Sequence, residues 1–139
     1  ITVTLECTMK NGATKEIANF TVPLCSTVHM CGSTIKLITT SVAVMYLSGM
    51  NISFALFVNL ILLQGISAVA APGVMGGVLM ASIGLLESVL GFSPEQSALM
   101  MTIYLALDGY GPACNVSGDG AITLIIDRFF AKKYASAQQ

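Results

Sequence analysis

Charge is what this sequence has least of. Only 6 of its 139 residues are Lys or Arg and 7 are Asp or Glu, so 9% are charged while 55% are hydrophobic. A soluble domain carries about 25% charged residues, which coat its surface. A chain this poor in charge belongs to the membrane class. No basic stripe interleaved with aromatics is present, and the net charge is −1. That excludes nucleic-acid binding as the function. The four cysteines, Cys7, Cys25, Cys31 and Cys114, contain no CxxC pair. Their spacing describes neither a disulfide framework nor a zinc ribbon, and they read as small apolar packing residues. The sequence opens on Ile1 and shows no basic start followed by a small-residue cleavage site. A segment of a longer protein is therefore expected, with any targeting signal upstream.

What is present is a succession of apolar stretches with punctuation. Residues 1–20 are the most polar, with a turn signal at Asn11-Gly12 and a helix start at Thr14-Lys15-Glu16. Residues 17–47 are mostly apolar but interrupted at Pro23 and again at His29-Met30-Cys31-Gly32. Two helical pieces around a break are expected, the second at 33–47, followed by a turn at 48–51. The apolar tract 52–90 carries one formal charge, Glu87, and is too long for a single straight span of about 20 residues. Its middle holds Pro72, Gly73, Gly76 and Gly77, residues that remove a donor or loosen the backbone. Irregular backbone at membrane depth survives only inside protein or against a cavity. The tract therefore reads as a re-entrant hairpin, helix 52–69, a glycine-rich tip and helix 78–90, with one kinked span as the alternative. Gly91-Phe92-Ser93-Pro94-Glu95 is a loop in which Ser93 caps a new helix and Pro94 fills its first turn. That last helix is expected over 95–130, with a polar tail after it.

The fold class is thus an all-α membrane protein with a broken transmembrane helix, a re-entrant helical hairpin and a long C-terminal transmembrane helix. The basic residues Lys10, Lys15, Lys36, Arg128, Lys132 and Lys133 orient it. With a re-entrant hairpin, five of these six fall on one side, which the positive-inside rule makes cytoplasmic, C-terminus included.

Two carboxylates, Asp108 and Asp119, lie inside the last apolar helix. A charge at a helix centre costs about 2.5–3.5 kcal/mol on insertion scales, so such a residue signals function. Tyr104, Asp108, Gly111, Pro112, Asn115 and Asp119 recur at helical spacing, which predicts one polar stripe on one face. The stripe either glues helices together or binds a solute. Carboxylate and amide oxygens suit Na⁺, H⁺ or an ammonium group, and helix breaks add unwound carbonyls for cations.

Three motifs in order now resemble a family. Pro23-Leu24-Cys25-Ser26-Thr27-Val28-His29-Met30-Cys31-Gly32-Ser33 is similar to P-L-G-A-T-I-N-M-D-G-T. Gly73-Val74-Met75-Gly76-Gly77 is similar to G-V-P-G-A/G, and Asn115-Val116-Ser117-Gly118-Asp119 to N-V-T-G-D. These are motifs of the dicarboxylate/amino acid:cation symporters, the glutamate-transporter group, and the resemblance covers nearly the whole chain. It implies the last third of an elevator-type transport domain from a homotrimer: residues 1–14 ending the first hairpin, 15–47 the broken helix, 52–90 the second hairpin, 95–131 the last helix and 132–139 a cytoplasmic tail.

The resemblance also implies roles. Asp108 would bind a substrate ammonium and Asn115 its carboxylate, with Ser33, Val74 and Gly76 as further contacts and Gly111 and Pro112 beside them. Asp119, with carbonyls of Cys25, His29 and Asn115, would form one sodium site. Thr27 and Met30, with carbonyls of Ala68, Val69 and Ala71, would form a second. The tip Gly73, Val74, Met75, Gly76 and Gly77 would be the gate. No transition metal and no other cofactor is implied.

Departures from the pattern sharpen the expectation. Acidic-substrate members carry an Arg where Gly111 stands, and its guanidinium would fork onto a side-chain carboxylate. Its loss favours a neutral amino acid such as serine, threonine or alanine over an acidic amino acid or C4-dicarboxylate. Lys36 either substitutes as a cation, meets an acidic group, or snorkels to the outer surface. His29 and Cys31 replace the family's Asn and Asp at a third sodium site, and cysteine is a poor ligand for a hard cation. His29 either carries a coupled proton or hydrogen-bonds across the break. Rival classes are an enzyme built on His29 and Cys31, a soft-metal site using Cys25, His29 and Cys31, and a membrane subunit without transport of its own.

Overall fold

A computed structural model describes residues 1–70 and 77–137, with side chains through Phe130. The described residues form seven helices and no strand. They are α1 (Thr2–Lys10), α2 (Lys15–Val28), α3 (Cys31–Leu47), α4 (Phe54–Ala70), α5 (Gly77–Leu90), α6 (Pro94–Ala106) and α7 (Tyr110–Ala137). The all-α class follows from the apolar stretches, because helices satisfy their own backbone where water is absent.

The breaks occur where local chemistry dictates them. Gly12, Gly49 and Gly91 adopt φ of 102°, 66° and 68°, a region closed to most side chains. Ser93 opens α6 with a capping box: its Oγ accepts from Gln96 N, and Gln96 Oε1 accepts from Ser93 N at 2.8 Å. The break expected at residues 29–32 is confined to His29-Met30, where His29 leaves helical geometry at φ −89°, ψ 92°, and α3 starts at Cys31 rather than at residue 33. Lys15–Leu47, 33 residues, is long and apolar enough to cross a bilayer. By contrast α4 and α5, at 17 and 14 residues, fall short of the about 20 that a straight span needs.

Pro23 lies inside α2, since one missing N–H and a local adjustment are tolerated in an apolar helix. One expectation is corrected. The single helix expected over 95–130 is divided at residues 107–109. Pro112 explains the division. Its ring clashes with the carbonyl four residues back, that of Asp108, and it has no N–H to offer that carbonyl. The backbone instead tightens, with Asp108 N bonding Leu105 O at 3.1 Å and Tyr110 N bonding Leu107 O at 3.2 Å. The polar stripe of Tyr104 to Asp119 therefore does not run along one uninterrupted helix.

The chain divides into two compact units, Ile1–His29 with Asn115–Gln139, and Met30–Cys114. In the second, α3, α4, α5 and α6 enclose a core of Leu37, Val44, Leu60, Leu79, Leu86 and Met100, all essentially solvent-free. The helices α4 and α5 pack along each other on either side of residues 71–76. In the first unit α1 packs on α2, and Ala18 and Val22 are buried. The Thr14 hydroxyl donates to Asp127 of α7, and Gly120 of α7 faces the Thr8 hydroxyl. Large apolar side chains such as Phe20, Phe54, Ile66 and Phe129 stay exposed on the chain, as befits a membrane protein rather than a water-coated one.

Candidate functional site

The division between α6 and α7 builds the first candidate site. With Asp108 N diverted to Leu105, the Tyr104 carbonyl is left without its helical donor at the negative end of α6. Lys36, from the second turn of α3, fills that need. Its Nζ donates to Tyr104 O at 3.3 Å, to Leu107 O at 3.4 Å and to Asp108 Oδ1 at 3.1 Å. The same ammonium lies 3.6 Å from the centroid of the Tyr104 ring. Its side chain is 7% exposed, against 29% for Asp108. Lys36 is thus buried and paired, and the snorkelling alternative is ruled out within this unit. The carboxylate remains approachable.

Gly111, in the first turn of α7, makes this geometry possible. A Cβ there would stand 3.2 Å from Ser33 Oγ, 3.3 Å from Ser33 Cα and 3.5 Å from Lys36 Cε. A larger side chain would displace the lysine. The unit therefore gathers Ser33, Lys36, Tyr104, Asp108 and Gly111. Beside them lies a cavity of about 320 Å³, lined by Lys36, Thr39, Thr40, Tyr110, Gly111 and Cys114 among others. That volume is at the small end of the about 300–1,000 Å³ typical of ligand pockets.

The second candidate lies in the unit of α1, α2 and the body of α7. Asp119 is 3% exposed, and its Oδ1 stands 2.8 Å from His29 Nδ1. The ring rests on Gly118, where there is no room for a Cβ, and Thr123 Oγ1 donates to the Asp119 carbonyl at 2.8 Å. Cys25 is buried one turn before His29, whose N–H closes α2 onto the Cys25 carbonyl at 2.7 Å. His29 therefore bonds to Asp119 itself.

The remaining expected residues stand as follows. Thr27 directs its hydroxyl to its own helix, onto Leu24 O at 2.7 Å. Met30 caps α3 and packs on the core of the second unit, which also holds Ala68 of α4, whereas Val69 is exposed. Pro112 lies in the first turn of α7 and Asn115 in its second. Gly77 begins α5, while Ala71, Gly73, Val74, Met75 and Gly76 lie outside the described residues.

Sequence reasoning missed Gln64 of α4. Its amide is fully buried, and among the described residues neither its nitrogen nor its oxygen has a hydrogen-bond partner. An amide within an apolar run, which Gln64 shares with Asn59, was the available signal.

Comparison with known proteins fixes the family. The sequence profile of the Sodium:dicarboxylate symporter family matches residues 1–129. The chain belongs to this family. It is 29% identical over 132 residues to the serine/threonine transporter SstT of Acinetobacter baylyi, covering 92% of this chain and 33% of that protein. It is 29% identical over 124 residues to the neutral amino acid transporter B(0) of Rattus norvegicus, covering 86% and 22%. With the excitatory amino acid transporter 3 of Mus musculus it shares 26% over 132 residues, covering 94% and 25%. The chain thus spans about a third or less of these relatives' length. No solved structure matches it significantly. The family and the relatives are transporters, so the enzyme reading of His29 and Cys31 is withdrawn.

Proposed function

We propose that this chain supplies part of the substrate and cation machinery of a secondary transporter that couples amino-acid uptake to a cation gradient, with Na⁺ as the favoured ion and H⁺ as the alternative. The observation that carries the reading is the placement of the two carboxylates. Asp108 stands at the division between α6 and α7, and Asp119 meets His29 at the end of α2. Charges at helix breaks in an apolar chain are how transporters of this architecture hold ions and zwitterions.

In this reading Asp108 receives the substrate ammonium, and Asp119 with carbonyls at Cys25, His29 and Asn115 receives the ion. Residues 52–90 act as a re-entrant gate, which the shortness of α4 and α5 supports. The C-terminus is cytoplasmic, and the whole protein is a homotrimer in the cell membrane. The substrate is a neutral amino acid. Gly111 carries no guanidinium to meet a side-chain carboxylate, and two of the relatives are named for neutral amino acids.

An acidic substrate is the second reading, favoured by the lysine lying next to Gly111. In the resting unit that charge is paired with Asp108 Oδ1 at 3.1 Å. Uptake of labelled serine by the full-length protein in proteoliposomes, driven by an inward Na⁺ gradient, tests the proposal. Serine uptake that excess aspartate leaves intact supports it. No serine uptake, or strong inhibition by aspartate, overturns the neutral assignment.

A further inference from the structure

We infer that Lys36 and Asp108 together form a zwitterion-selective pair, in which Lys36 is a specificity-determining residue that receives the substrate's α-carboxylate while Asp108 receives its ammonium. The inference rests on the reading of Asp108 proposed above and adds the lysine to it.

The geometry of the resting pair is the starting point. Lys36 has three N–H donors, and two of them are held by the Tyr104 and Leu107 carbonyls at 3.3 and 3.4 Å. The ring of Tyr104 lies under the charge at 3.6 Å. The ammonium is therefore anchored whether or not Asp108 is its partner. The third donor, to Asp108 Oδ1 at 3.1 Å, is the one that a ligand can replace. Asp108 is also the more accessible partner, with 29% of its side chain exposed against 7% for the lysine.

Charge balance then selects the ligand. In a low-dielectric site, opening the pair leaves one positive and one negative group, and each needs a counter-charge. An α-amino acid carries both on adjacent atoms. Its ammonium takes Asp108 and its carboxylate takes Lys36, so one ion pair becomes two and no charge is stranded. A neutral amide would add hydrogen bonds but no charge. An amine without a carboxylate would strand Lys36, and a carboxylate without an amine would strand Asp108. Both are rejected.

The same pairing accounts for Gly111. The absent Cβ gives the lysine its path beside Ser33. An arginine there would clash with the lysine stem and set a second cation against the first. With its charge committed to the α-carboxylate, Lys36 has none left for an acidic side chain, which fits a neutral substrate.

The test uses full-length protein in lipid nanodiscs with saturating Na⁺, and isothermal titration with three probes. Serine carries both groups, ethanolamine is serine without its carboxylate, and 3-hydroxypropanoate is serine without its ammonium. Wild-type protein is expected to bind serine at least about 30-fold more tightly than either half-molecule, the size of loss expected when one partner of a close charge pair is removed. Lys36→Met is expected to weaken serine and to narrow the serine-to-ethanolamine ratio by about tenfold or more, because ethanolamine no longer strands a cation. Lys36→Arg, which keeps the charge, is expected to retain most of the wild-type ratio.

Three results would overturn the inference while leaving amino-acid binding intact: equal affinity of wild type for serine and a half-molecule, an unchanged ratio in Lys36→Met, or tighter serine binding by Lys36→Met, which would make the lysine a competitor for Asp108. Should Lys36→Met fail to fold, the wild-type probe series and Lys36→Arg still decide. Absence of binding by any amino acid would withdraw the transporter reading and this inference together.

Discussion

His29 Nδ1 lies 2.8 Å from Asp119 Oδ1, joining residues 90 positions apart in the sequence. Gly118 makes the contact possible, because the imidazole occupies the space a Cβ would need. Gly118→Ala is expected to drive the ring off the buried carboxylate. The loss of a hydrogen bond to a buried charge, with added crowding, should cost about 1–3 kcal/mol in thermal unfolding of the full-length protein. It should also raise the Na⁺ concentration needed for half-maximal substrate binding. Unchanged stability together with unchanged Na⁺ dependence would show that the ring has another place to go.

Gly111 predicts an asymmetry between two substitutions. Gly111→Ala places a methyl 3.2–3.3 Å from Ser33 and 3.5 Å from the Lys36 stem. Small displacements relieve this, so a loss of about 1 kcal/mol or less is expected. Gly111→Arg is expected to abolish serine binding without creating aspartate binding, since the guanidinium needs the volume that Lys36 fills. Aspartate transport by Gly111→Arg alone would refute that account.

Gln64 predicts a stabilising change. Replacing a buried, unpartnered amide by an apolar group of similar shape removes its desolvation penalty, so Gln64→Met should raise stability by about 1–3 kcal/mol. Calorimetry or a thermal-shift series on detergent-solubilised full-length protein measures it. A fall in stability would mean that the rest of the protein supplies the amide with a partner.

At the start of α6, Ser93 accepts from Gln96 N and donates to Glu95 Oε2 at 2.7 Å. Ser93→Ala should cost about 1 kcal/mol. The Ser93 hydroxyl holds the Glu95 carboxyl below its ordinary value. A depressed folded value means that this contribution is present above the unfolded pKa, about 4.3 for glutamate, and is lost as pH falls through the folded one. The cost of Ser93→Ala should therefore be larger at pH 7 than at pH 3, and an equal cost at both would place the whole effect in the backbone cap.

Much of the architecture was legible because its causes are local. Composition alone gave the membrane class, and the glycines at 12, 49 and 91, the cap at Ser93 and the break at His29 mark the helix ends. The division at residues 107–109 was missed although Pro112 announces it, because helical spacing of polar residues outweighed one backbone clash. Lys36 was recognised as a charge out of place, but its direction could not be read.

The sequence by itself determined that this is an apolar, helical member of a transporter family, which residues carry charge, and where the backbone must turn. Those properties depend on residue type and on neighbours within a few positions. Only the tertiary structure decided the partners: Lys36 with Asp108 across 72 residues, His29 with Asp119, and Gln64 with none among the described residues. Spacing along a helix reports which side chains share a face. It does not report which face meets another helix, and in an apolar interior that choice decides whether a charge is paired or stranded.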